Sequence, residues 1–441
     1  MTERVVRLGI DYGTSFSKVV FRDYGASGRE TAYVLGGREF RIPSAVGVAD
    51  EGFVFGVKPS AQANLQSWHE SIKMRVAGEV AHNISHYFHG QLSSLPNGFC
   101  SQDLAVLSVA FLISRGKKVV RDRLKGMSGT IAIGFTLGIP MSFFDHHAIK
   151  KTFLRIARAA WELTKLHDIG ERLGFDDARH FLTETYGALD KAFEVPASET
   201  KEWIRPEAEA ALWWPFMSPA VSPGPYAQVD IGAGTTNIGI FRIVPKHTEL
   251  GWIKSSLSFF GATSPPVGMD AIDKVLSEWK GGANPFRWRG REEEVLYGKL
   301  GQQLISNEAE QIRDAYKRTI NKAFSTHLQL HAERHAWGTH KIFFLGGGSL
   351  LEPLREQLRL SPLSDDSKLE EAELDVPGDI KLEDGTNVPR IMFPHVAVAY
   401  GLSGFAAELP NVESPSETPP MSGGNLPSRR YQMIEMDDWR Y

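Results

Sequence analysis

Ala227-Gln228-Val229-Asp230-Ile231-Gly232-Ala233-Gly234-Thr235-Thr236-Asn237-Ile238-Gly239-Ile240-Phe241-Arg242 is the stretch on which the fold turns. It reads as an apolar strand ending on an acid, a glycine-threonine turn, and a second apolar strand. The N-terminal region repeats it as Leu8-Gly9-Ile10-Asp11-Tyr12-Gly13-Thr14-Ser15-Phe16-Ser17-Lys18-Val19-Val20-Phe21-Arg22. Each copy has an Asp at a strand end, a Gly two residues on, a small hydroxyl cluster, and a returning strand that closes in Phe-Arg. The second copy carries one extra turn residue. Two such copies predict a duplicated architecture in which a hairpin from each half faces a shared ligand.

The residue types suit a phosphate. Glycines let the backbone approach a ligand closely, successive turn amides form a concave nest for an anion, and Thr or Ser hydroxyls add donors. An Asp beside such a nest would repel phosphate. It fits a hydrated Mg²⁺, which takes one or two carboxylates and keeps several waters. One acid-glycine hairpin alone is a common loop; the matched pair carries the signal.

Composition sets the frame. The 441 residues suffice for two to three domain-sized units, with 42% hydrophobic and 23% charged residues. A net charge of −4, from 49 basic and 53 acidic residues, gives no electrostatic case for nucleic acid or an anionic membrane. The single cysteine, Cys100, excludes an intramolecular disulfide and fits a reducing compartment. The N-terminus enters a strand at once, so no secretion signal is expected. No apolar run approaches the ~20 residues of a membrane span. A cytoplasmic protein is the expectation.

Along the chain, short strands are expected to residue 56, a helix at 101–125 with Leu104, Leu107, Ala110 and Phe111 on one face, and a buried strand at 131–139. A basic amphipathic helix follows at about 145–166, with Phe153, Ile156, Ala160 and Leu163 as its stripe. Pro206-Glu207-Ala208-Glu209-Ala210-Ala211-Leu212 starts another helix, and the Pro/Ser/Gly-rich 218–225 serves as a crossover. The second half holds Gly268-Met269-Asp270, long helices within 292–336, the strand Lys341-Ile342-Phe343-Phe344-Leu345, and the turn Gly346-Gly347-Gly348-Ser349. A strand at 389–393 and a small-residue helix at 395–407 close the globular part. Expected units are a first lobe at 1–225 (outer subdomain about 46–128) and a second at 226–409 (outer subdomain about 263–337). An exposed acidic insertion is expected at 361–388, and a disordered tail at 410–441 that regains aromatics at its end. Alternating strands and helices make the class α/β.

In order along the chain, these motifs resemble the actin-like ATPase superfamily, most closely the nucleotide-binding domain of DnaK-type heat-shock chaperones. Asp11-Tyr12-Gly13-Thr14-Ser15 and Asp230-Ile231-Gly232-Ala233-Gly234-Thr235 resemble its two phosphate loops. Gly138-Ile139-Pro140 and Gly268-Met269-Asp270 resemble its connecting segments. Leu345-Gly346-Gly347-Gly348-Ser349 resembles its adenosine loop, and Ala397-Val398-Ala399-Tyr400-Gly401 its terminal helix. The resemblance spans about residues 5–407 and implies two ribonuclease-H-like halves flanking a nucleotide cleft.

By that resemblance the chain binds and hydrolyses Mg-ATP. Asp11 and Asp230 would hold Mg²⁺ through water. Gly13, Thr14, Ser15, Gly232, Gly234, Thr235 and Thr236 would line the phosphates, with Gly268 and Asp270 beside them. Lys73 matches a lysine that orients the attacking water. Glu207 matches the family's glutamate; the proline that follows it there is absent here, which leaves Glu209 as a second candidate. Asp314, Lys317, Arg318 and Asn321 would cover the adenine, with Gly346, Gly347, Gly348 and Ser349 on its other side. A full chaperone would add a peptide-binding domain, whereas about thirty residues follow the last motif here. The implied activity is therefore a chaperone-like ATPase whose nucleotide state controls a protein partner. The alternatives are a filament-forming actin-like ATPase and, further off, a metabolite kinase of the same superfamily.

Overall fold

The computed structural model describes residues 3–25, 30–57, 65–83, 95–96, 98–126, 130–189, 199–248, 251–270, 299–326, 337, 340–360, 369–408 and 410–415. β1 (Glu3–Asp11) and β2 (Phe16–Asp23) form the first quoted hairpin, and β3 (Thr31–Val34) continues the meander. β8 (Thr130–Ile139) lies parallel to β1, and β10 (Ile204–Pro206) parallel to β8. With β15 (Ile380–Leu382) on the far edge, the order is β10-β8-β1-β2-β3-β15, and β4 (Ile42–Pro43) pairs with β2.

The second sheet repeats this plan. β11 (Gly224–Ile231) and β12 (Thr236–Thr248) form the second hairpin, β13 (Gly251–Thr263) extends the meander, and β14 (Lys341–Leu345) lies parallel to β11. β16 (Asn411–Glu413) adds at the edge, giving the order β14-β11-β12-β13-β16. In both sheets a parallel strand flanks the hairpin on one side and an antiparallel strand on the other. A small sheet of β5 (Val46–Ala49), β6 (Gly52–Val54), β7 (Ser67–His69) and β9 (Arg172–Gly174) lies apart from these. The class is mixed α/β with several sheets.

Helices cover the sheets through their apolar stripes. α1 (Ile72–Val80), α2 (Ser101–Arg123) and α3 (His147–Leu166) share a core with the first sheet, where Leu104, Leu107, Phe153 and Ile156 are buried as their spacing predicts. Against the second sheet, α5 (Lys299–Thr326) buries Ile305, Ile312 and Tyr316, and α6 (Glu352–Leu358) buries Leu354 and Leu358. Short α4 (Glu207–Ala211) and α7 (Phe393–Leu402) approach each other so closely that only glycine fits. A Cβ on Gly401 would lie 1.9 Å from the Ala210 carbonyl oxygen, and one on Gly9 in β1 would lie 2.0 Å from that of Ala399. Neither backbone neighbour can move without breaking a helix, so overpacking here costs at least the usual ~1–3 kcal/mol. Gly401→Val is expected to lower the melting temperature by well over 5 °C or to leave no soluble protein; an unchanged melting curve would contradict this close packing.

Three expectations need correction. The 361–388 segment is not an exposed insertion over 369–382, where Leu369, Ala372, Ile380 and Leu382 are buried, while 384–387 are exposed. Ile342 N–H donates to Glu370 O and Ala372 N–H to Ile342 O, at the edge of the second sheet, while β15 pairs with β3 of the first. Asp379 accepts from Arg22 at 2.6 Å and from Tyr400 at 2.8 Å, and Asp375 accepts from Trp214 Nε1 at 3.0 Å. The acids alternate with Ala372, Leu374 and Val376, a period-two pattern that composition alone hides. Residues 389–393 are a 3-10 turn leading into α7 rather than a strand. Residues 411–413 are strand β16, where disorder was expected. Residues 361–368, 416–441 and, in the 263–337 subdomain, 271–298 and 327–336 lie outside the described residues. Among the described residues, no helix is long and apolar enough to cross a membrane.

Candidate active site

Each hairpin delivers its acid at the same place in its sheet. Asp11 ends β1, directly across the hairpin from Lys18. The Lys18 ammonium lies 2.9 Å from Asp11 Oδ2. Asp230 sits one residue before the end of β11, across from Asn237. Glycine is required in both turns, since a Cβ on Gly13 would lie 2.3 Å from Phe16 O and one on Gly232 2.8 Å from Thr235 O. Thr14, Ser15, Thr235 and Thr236 are buried.

The two turns meet. A Cβ on Gly234 would lie 2.8 Å from the Thr14 methyl, and Ser15 Oγ donates to Asp270 Oδ1 at 3.4 Å. The Gly268–Asp270 loop is laced to the second turn: Met269 N–H donates to Gly232 O at 3.1 Å and Asp270 N–H to Ala233 O at 2.7 Å. The glycine turn after β14 comes to the same point. Gly346 has φ +76, and a Cβ there would lie 2.3 Å from Asp230 Oδ1. Gly348 packs on Ile231 and Met269, and Ser349 Oγ donates to Gly346 O at 2.7 Å.

Lys73 reaches this cluster from α1 and Glu207 from the start of α4. Both are buried and ion-paired, Lys73 Nζ donating to Glu207 Oε1. Glu207 Oε2 accepts from Asn237 Nδ2 at 3.0 Å, and Asn237 Oδ1 accepts from Ser264 Oγ at 2.8 Å. This chain of contacts runs from α1 to the second sheet. Glu209 is also buried but pairs at 3.8 Å with Lys201, away from Lys73. Geometry therefore favours Glu207.

The predicted adenine cover lies on α5, away from any direct bond to the cluster among the described residues. Asp314, Lys317, Arg318 and Asn321 lie on the exposed stripe of α5. Among the described residues, no hydrogen bond or ion pair joins them to the glycine turn.

Charge at the cluster is unbalanced, with Asp11, Asp230 and Glu207 facing Lys18 and Lys73. Burial, then Glu207 and Asp11, push the Asp230 carboxyl up to about 7. Burial also raises Glu207, with Lys73 opposing. Burial pulls Lys18 down, but Asp11, Asp230 and Glu207 together hold it above its ordinary value. Carboxylates raised by one another mark a place that lacks positive charge, and a divalent cation would supply it. Among the described residues, no group of three His, Cys, Asp or Glu side chains is placed to hold a metal ion directly.

The sign of the pH effect follows. A carboxyl raised from 3.8 to about 7 favours the ligand-free fold below pH 4, and that contribution is lost as pH rises towards 7. The ligand-free protein is therefore expected to melt progressively lower, relative to Asp230→Asn, between pH 5 and pH 8. A constant difference between the two melting temperatures would refute the shift.

Lys18, Asn237 and His395 were not singled out from the sequence. Lys18 and Asn237 are the residues paired across the hairpin from each acid, a register that the hairpin spacing contains. His395, on α7, lies against the glycine turn, 3.1 Å from a Cβ built on Gly347, and burial lowers it to about 3. No protein-family model and no curated protein sequence matches the chain.

Proposed function

We propose that the protein is an actin-like, two-lobed ATPase, its two matching sheets forming the lobes and the carboxylate cluster between them binding Mg-ATP. The observation that carries this reading is the convergence of both acid-ended hairpins and the Gly346 turn on Asp230. Gly346 has given up a side chain to approach Asp230, and the two hairpin turns meet where Gly234 abuts the Thr14 methyl.

Thr14, Ser15, Gly234 and Thr235 would cradle the β- and γ-phosphates, and Lys18 adds a cation beside them. Asp11 and Asp230 would hold Mg²⁺ through water; the ion would neutralise charge on the transferred phosphoryl group. Lys73 and Glu207, joined to each other and to Asn237, would orient the attacking water and accept its proton. The turn at Gly346, Gly347, Gly348 and Ser349 would face the nucleoside. In this reading the nucleotide state biases the angle between lobes and so a protein partner, a population shift.

The test is sedimentation with ATP, ADP or no nucleotide, with phosphate release measured in the same tubes. Release with the protein remaining in the supernatant is expected. Pelleting driven by ATP would instead identify a filament former, with open head-to-tail contacts. No release would refute the ATPase reading and direct a substrate screen for a kinase.

A further inference from the structure

A second concavity of about 710 Å³ opens on the far side of the glycine turn, between α6, the 371–374 segment and the start of α7. It is within the range of built ligand sites. Its floor is apolar, with Phe344, Leu350 and Pro394, and Ile391 stands there 65% exposed, the most exposed large hydrophobic side chain among the described residues. Its rim is acidic in excess: Glu352, Glu371 and Glu373 face Arg355 and Arg390. Each of these carboxylates is ion-paired, Glu352 with Arg355, Glu371 with Arg355 at 3.3 Å and Glu373 with Arg390 at 2.9 Å, which leaves the rim one carboxylate in excess. An apolar floor beneath a rim with that excess suits an apolar peptide segment preceded by cations.

The chain carries such a segment. Arg429-Arg430-Tyr431-Gln432-Met433-Ile434 sets two arginines directly before three apolar side chains, after a stretch rich in Pro, Ser and Gly and before Glu435, Asp437 and Asp438. We propose that this segment docks in the groove of its own chain, with Tyr431, Met433 and Ile434 over Ile391 and Leu350, and Arg429 and Arg430 towards Glu371 and Glu373.

The reach is ample. Described structure ends at Pro415, just past β16, and the groove adjoins β14 on the opposite edge of the same sheet. Four strand spacings of ~4.8 Å separate the two edges, about 19 Å, whereas the chain from Pro415 to Arg429 spans up to about 45 Å when extended. Closing a loop of this length carries only a modest entropic cost.

The consequence is regulatory. Ser349 and Leu350 form one wall of the groove and belong to the turn that carries Gly346 against Asp230. A segment seated there touches the back of the candidate active site. The docking itself does not depend on the nucleotide reading and is tested without nucleotide.

A photo-crosslinking amino acid in place of Met433, in the full-length chain at dilute concentration, reads the contact by peptide mass mapping. The expected result is an intramolecular crosslink to residues 344–355, 371–374 or 390–394. Ile391→Asp, at an exposed position that the fold tolerates, should reduce its yield about tenfold, as for replacing an apolar contact with a charge. Crosslinks to other surfaces, crosslinks between two copies, no crosslink, or an Ile391→Asp chain with undiminished yield would each overturn the proposal.

Discussion

Asp230→Asn is expected to leave the fold intact and slow ATP hydrolysis by about 10²–10⁴, the usual loss when one positioned acid is removed. The substitution keeps the shape of a side chain that Gly346 abuts and that Asn237 faces across the hairpin. It removes one of the three carboxylates that, in the proposed reading, would make a place for a divalent ion. Because an ionised Asp230 disfavours the ligand-free fold, the variant should melt higher than the parent at pH 8 while turning over far more slowly. Higher stability with lower activity separates a site residue from a structural one. Undiminished phosphate release would remove Asp230 from the mechanism.

Lys73→Ala is expected to damage both properties. Lys73 is 3% exposed and Glu207 4%, and each is the other's direct charge partner. Removing one member of a buried pair leaves the other uncompensated, at a cost of about 3–5 kcal/mol. Asn237 still donates to Glu207 and softens this, but it is neutral. Combining Lys73→Met with Glu207→Gln removes both charges and should restore most of the melting temperature while hydrolysis stays low. If the double variant were as unstable as Lys73→Ala, the loss would lie in packing. If it regained activity, the pair would have no role with the attacking water.

Much of this was legible in the sequence because the informative features are local. The hairpins announce themselves by two apolar runs around an acid and a glycine turn, and the stripes of α2 and α3 by helical spacing. The glycine turn after Lys341–Leu345 was equally plain. What stayed hidden depends on pairing between distant segments. Lys18 looked like any polar strand residue until the register set it opposite Asp11. Glu207 and Glu209 both begin the same helix, and only the approach of α1 separates them. The 369–388 segment looked like a solvated acidic loop because its acids are as numerous as its apolar residues. Its partners, Arg22 and Tyr400, lie far away in sequence and turn Asp379 inward. For α5, helical spacing places Asp314, Lys317, Arg318 and Asn321 on one exposed stripe but does not say what that stripe faces.

Equilibrium binding of a fluorescent ATP analogue, measured with Mg²⁺ and then with a chelator, tests the central claim most directly. Saturable binding is predicted that depends on Mg²⁺, is displaced by unlabelled ATP, and weakens in Asp230→Asn only when Mg²⁺ is present. Absence of binding, or binding equally tight with the chelator and in the variant, would contradict the assignment of this cluster as a Mg-ATP site.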